Sequence, residues 1–149
     1  KLVGVAPGSE MRQAVKIAKK EKIKIALVDQ DIEITLRRLS QEFTWKEKFN
    51  ILIDIIKAIF LRKKEIDFDL RTVPDKKIIK KLIDKLKERY PNLYKVLIEE
   101  RNKVIAHNLK KLMEQNPDKK ILVILGAGHV DDVLELVREP DVKYSFSFS

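Results

Sequence analysis

His129 ends the run Val123-Ile124-Leu125-Gly126-Ala127-Gly128-His129, and two aspartates, Asp131 and Asp132, follow at once. A strand that passes through two glycines into a helix marks the place where open α/β sheets gather ligands. A dinucleotide loop is the first chemistry to test, and it fails. Asp131 stands where the third glycine of G-x-G-x-x-G belongs, and two carboxylates occupy the helix N-terminus where a phosphate would bind. The same acids complement the helix dipole and tolerate a bound cation. His129 is therefore either a hydrogen-bonded structural residue or a ligand or acid–base group in a cleft.

Glu100 is the second residue of chemical interest. A helix expected from Asn92 to about Asn116 has one apolar stripe of Leu93, Val96, Leu97 and Val104, with Ile98, Ile105, Leu109 and Leu112 on nearly the opposite side. Glu100 falls within the first stripe, where a buried carboxylate must be paired, protonated or bound to a cation. The alternative is an ordinary charged patch, Glu99-Glu100-Arg101-Asn102, at a domain rim. Arg101 projects about 100° away around the helix and is not automatically the partner. His107 shares the face of Glu100 but lies roughly 10 Å along the axis, too far to share an ion whose ligand atoms sit about 2 Å away. His107 is read as structural, and a metal site would pair Glu100 with a residue such as His129. Glu10, in a first helical turn, and Asp29, at a strand end, are the remaining acids at places where sites form. A dipole complement for Glu10 and a turn or cap role for Asp29 explain them equally well.

The elements that must position these residues follow from hydrophobic periodicity. Ser9 is expected to cap a helix to about Glu21, followed by an apolar strand over 23–28 and a second helix over 32–39. A helix, strand, helix unit suggests a parallel sheet. Residues 44–64 give a long helix with an unusually wide apolar arc, interrupted by Asp54 and Lys57 and so unsuited to spanning a membrane. It reads as a helix buried on two sides or packed on a partner subunit, or else as a membrane-surface helix with lysines at both ends. Pro74-Asp75 opens a third long helix, Asn92 a fourth, and Asn116-Pro117-Asp118 turns into a strand over 121–125. A helix over 130–138 and an alternating strand over 144–149 complete the chain. The expected fold is α/β, mostly helical with a small, mainly parallel or mixed central sheet.

With 149 residues and 44% apolar composition the chain can bury one continuous core. Having no cysteine, it has neither disulfides nor thiolate chemistry. Charged residues make up 37%, rich in Lys, Glu and Asp beside much Ile, a composition of hyperthermophile proteins. The net charge of +9 favours polyanions in general. The lysines lie on helix faces without the interleaved aromatics that stack bases, so nucleic acid is not expected as a partner.

Four blocks, GVAPGSEM (4–11), ALVDQDIEITLRRL (26–39), VLIEERNKVIAHNL (96–109) and VILGAGHVDDV (123–133), together resemble the TraB/PrgY family. That family includes pheromone-shutdown proteins and archaeal homologues and is grouped with the TIKI metal-dependent peptidases. The match runs from about residue 3 to 138, a single domain with a helical insertion at about 44–90. The resemblance implies that Gly126 to His129 is the second of two G-x-x-H motifs, and that Glu100-Arg101 belongs to an ERD-like block whose third acid is here Asn102. Glu10, Asp29 and Arg37 also match, with less defined roles. The first G-x-x-H motif and the V-E-L-D-like strand after it are absent from these residues. With Lys1 in place of an initiator Met, this suggests a C-terminal piece of the domain and an incomplete sheet.

The implied function is hydrolysis of peptides, with Mn²⁺, Co²⁺ or Zn²⁺ held by His129 and the histidine of the other motif, and Glu100 as ligand or water-activating base. The piece alone is expected to be inactive and to hold no metal tightly. The alternative is a non-catalytic protein that captures a signal peptide in the same cleft. Archaeal relatives often continue into hydrophobic segments, so the resemblance implies a longer protein that is cytoplasmic, or membrane-associated and anchored by such segments. Uncovered sheet edges and helix faces would also allow self-association into a homo-oligomer.

Overall fold

A computed structural model describes residues 8–61 and 76–140. Seven α-helices and one π-helical segment make up the regular structure of these residues: α1 (Ser9–Lys20), α2 (Ile32–Glu42), α3 (Trp45–Leu61), α4 (Lys76–Arg89), α5 (Pro91–Tyr94), the π segment (Lys95–Glu100), α6 (Arg101–Glu114) and α7 (Val130–Arg138). The described residues contain no strand, which overturns the expected α/β fold with a central sheet. Residues 23–28 and 121–125 are irregular connectors. A β-branched run records a side-chain packing preference, and it becomes a strand only when another backbone completes its ladder. Among the described residues neither run is paired in this way. Leu27 is 91% exposed and Leu122 is 88% exposed, so these apolar runs do not form a sheet core. The alternating stretch 144–149 and the opening of α4 at Pro74-Asp75 lie outside the described residues.

The core sits where α6 packs on α7, the most extensive contact between helices. Asn102, Ile105, Ala106 and Leu109 form the buried face of α6, and Val133 of α7 fills the space opposite. Val28 and Leu125, the last residues of the two connectors, close its edges together with Leu136 and Val137. Both connectors therefore end against the core.

The fourth expected helix is not one continuous α-helix capped by Asn92. It begins with Pro91 in its first turn, passes through the π segment, and becomes α-helical again at Arg101. A π turn bonds residue i to i+5, so it changes the rotational phase of everything beyond it. The stripe counted at 100° per residue from Leu93 does not carry through to Glu100.

Local signals fixed helix starts unequally. Asp31 accepts from the backbone N–H of Glu33 at 2.8 Å, an N-cap on α2. Replacing it, Asp31→Ala, is expected to cost about 1 kcal/mol in denaturant unfolding, with Asp31→Asn near wild type. Ser9, in contrast, is already helical; the cap of α1 is Gly8, in the left-handed conformation at φ 78°, and the Ser9 hydroxyl donates to Glu10.

Candidate functional site

His129 is the N-cap residue of α7 and closes the glycine turn, its backbone N–H donating to the Gly126 carbonyl at 2.9 Å. A Cβ on Gly126 would lie 3.5 Å from the His129 ring, and one on Gly128 would press on Ile83 of α4 at 3.3 Å. The missing Cβ of Gly128 thus lets the turn approach α4, whereas one on Gly126 would make only ordinary contact with the imidazole. The imidazole itself is buried, with 8% of the residue exposed.

One hydrogen-bonded chain reaches this histidine, and a nearby ion pair acts on it through charge alone. In the chain, Asn102 Oδ1 lies 2.6 Å from His129 Nδ1, while Asn102 Nδ2 donates to Asp132 Oδ2 at 2.9 Å. An ionised carboxylate only accepts, so the Asn102 amide must turn its NH₂ to Asp132 and its oxygen to the ring. His129 Nδ1 consequently carries the proton, and Nε2 keeps its lone pair. The ion pair is Arg101 with Asp29, held by two hydrogen bonds, Nε to Oδ1 at 3.1 Å and Nη2 to Oδ2 at 2.6 Å. Arg101 also donates to the Leu97 carbonyl in the π segment.

Burial pushes the His129 pKa down, and the nearby Arg101 charge pushes it further, against the opposing pull of Asp29 and Asp132. The ring is neutral at pH 7. Burial of Asp29 works in the direction of a higher pKa, but the hydrogen bonds from Arg101 and the Gln30 N–H outweigh it and hold the carboxyl below its ordinary value.

Glu100 turns elsewhere. Arg38 of α2 donates to both its oxygens, at 3.1 and 2.6 Å, and also to Glu42, whose other oxygen accepts from Lys95. The Arg38 hydrogen bond, against a smaller burial effect, holds Glu100 below the usual carboxylate range. Of the three states open to a buried carboxylate, it is the paired one. Arg37 and Glu10 are exposed and are brought to neither cluster, and His107 is exposed on α6. Among the described residues no three His, Asp or Glu side chains gather closely enough to hold a metal ion by themselves.

The structure thus joins Asp29 with Arg101, brings their charges near enough to act on His129, and gives Glu100 to Arg38 instead. Sequence reasoning named Asp132 and Asn102 without making either a partner of His129, and it missed Arg38. Asn102 was findable: it is a polar residue at helical spacing with Ile105, Ala106 and Leu109, the same signal that singled out Glu100.

A sequence model of the TraB/PrgY/gumN family matches residues 2–145. The uncharacterized protein MJ1365 of Methanocaldococcus jannaschii, an archaeal homologue, is 37% identical over 138 residues, which cover 91% of this chain and 33% of that protein. The chain thus spans about a third of the length of this curated relative. No solved structure matches. Among the described residues, no helix is long and apolar enough to cross a membrane.

Proposed function

The chain belongs to the TraB/PrgY/gumN family, and on that membership and the geometry of His129 we propose that it supplies one half of a metal-dependent peptide-hydrolysing site. The observation that carries this is the orientation of a buried, neutral imidazole: Asn102 and Asp132 hold Nδ1 as a donor, leaving Nε2 available. Metal-bound histidines are held by the same kind of outer hydrogen bond.

The donor set fits a divalent ion in part. His129 would offer one nitrogen ligand, and it would need further ligands beside it, since no three described His, Asp or Glu side chains gather closely enough to hold an ion. Glu100 would serve as a ligand or as the base only once released from Arg38. When bound, an ion such as Mn²⁺, Co²⁺ or Zn²⁺ supplies Lewis acidity toward a peptide carbonyl and a more acidic water. Arg101 and Asp29, a charge-neutralised pair beside His129, orient the peptide chain, and exposed Glu10 and Arg37 bear on binding alone.

The test is a calorimetric titration of the full-length protein with Mn²⁺, Co²⁺ and Zn²⁺, followed by assay of the loaded protein on a broad peptide panel. Metal uptake with turnover is the expected result. Full-length protein that takes up no metal and cleaves nothing overturns the reading.

A second reading, capture of a signal peptide without turnover, draws support from one feature. The exposed apolar segments 23–28 and 121–125 run directly into Asp29 and Gly126, offering an extended peptide apolar contact on the way to the site. Tight calorimetric binding of peptide with no cleavage favours this second reading over the first.

A further inference from the structure

Helix α3 is turned inside out. Its acids and amide face the protein: Glu47 is buried and accepts hydrogen bonds from Thr44 and Asn92, Asn50 is half-buried, and Asp54 pairs with Arg89 and Tyr90. Its apolar stripe faces solvent. Trp45, Phe49, Leu52 and Ile56 recur at helical spacing, and all are exposed, Trp45 by 84%. The helix is therefore not buried on two sides. Burying one Leu or Phe side chain is normally among the larger favourable contributions to folding, so four left in water on one stripe mark a contact surface.

Charge identifies what covers it. With Glu47 and Asp54 engaged inward, the exposed charges of α3 at Lys46, Lys48 and Lys57 are all positive. At 100° per residue Lys46 and Lys57 flank the stripe on one side and Lys48 on the other. The Lys48 ammonium sits over the Trp45 ring at 4.8 Å, at the edge of the apolar surface. A second copy would bring the same lysines, on a chain of net charge +9, against these. A bilayer with anionic headgroups satisfies both parts at once, apolar stripe into the acyl boundary and ammonium groups onto phosphates.

We infer that α3 lies in the plane of an anionic lipid surface and docks the protein there through Trp45, Phe49, Leu52 and Ile56, with Lys46, Lys48 and Lys57 at the headgroups. Because Trp45 is the single tryptophan of these 149 residues, this chain reports docking directly without a label. Its emission is expected to shift to the blue with vesicles of phosphatidylcholine and phosphatidylglycerol, and to stay unchanged with phosphatidylcholine alone. In co-sedimentation, each of Lys46→Gln, Lys48→Gln and Lys57→Gln is expected to weaken binding about fivefold, and raised salt to weaken it further. Phe49→Ser with Leu52→Ser, at exposed positions, should abolish it while circular dichroism stays unchanged. No blue shift on anionic vesicles, equal binding to neutral ones, or a dimer in light scattering that these serines disperse would each overturn the assignment.

Discussion

In an Asn102→Leu variant, His129 is expected to lose its fixed tautomer, and the full-length protein to bind divalent metal 10- to 100-fold more weakly, a drop of about that size being usual when an outer hydrogen-bond partner is removed. Leucine has as many side-chain heavy atoms as asparagine, so it leaves no cavity at this buried position while both hydrogen bonds vanish. Asp132 is exposed and regains water, but the His129 N–H is buried and is left without an acceptor. That adds a stability loss of about 1–3 kcal/mol, read from denaturant unfolding. The chain has two histidines, His107 and His129, so imidazole nitrogen NMR resolves the tautomer without a metal present. The wild type should show Nδ1 protonated and Nε2 bare. The exchanged pair, Asn102→Asp with Asp132→Asn, restores an acceptor on the ring and a donor behind it, and should recover the wild-type spectrum. A wild-type ring protonated on Nε2 would refute the assignment outright.

Glu47→Ala is expected to cost about 3 kcal/mol, because one buried carboxylate caps two helices. Thr44 and Glu47 form a reciprocal capping pair at the start of α3: the Thr44 hydroxyl and N–H donate to Glu47 Oε2 at 3.0 and 3.2 Å, and the Glu47 N–H donates back to the hydroxyl. The same carboxylate accepts from the Asn92 N–H at 2.8 Å and its side-chain amide at 3.1 Å, at the first turn of α5. Burial works to raise the Glu47 pKa, yet these bonds prevail and hold it below the ordinary glutamate value. A carboxyl with a depressed folded pKa stabilises above its unfolded value, about 4.3, and this contribution is lost as pH falls through the folded value. Unfolding followed from pH 7 down to pH 3 should therefore show a steeper acid loss in wild type than in Glu47→Ala. Asp54, which Arg89 and then Tyr90 pull down to about 2, loses its contribution as pH falls from about 3.9 through that value.

The capping pair was written in the sequence as Thr44-Trp45-Lys46-Glu47, since a cap and its recipient lie within one turn. The second role of Glu47 was not, because Asn92 lies 45 residues away. The same division runs through the site. His129 at the mouth of a glycine turn, with α7 starting at once, was legible from adjacent residues. Its partners were not, and Glu100 was given to the histidine because helical phase was counted through a segment that is π-helical.

The sequence by itself determined the helices, through apolar spacing near 3.6 residues, and the family, through four ordered blocks. Both are properties of short stretches or of their order along the chain. Only the tertiary structure decided that the β-branched runs stay unpaired among the described residues, that α3 turns its acids inward, and that Arg38 takes Glu100 while Arg101 takes Asp29. Those ion pairs join residues 62 and 72 positions apart. A carboxylate's partner is set by which cation the packing of α6, α7 and the π segment brings within about 3 Å, and no local pattern encodes that distance.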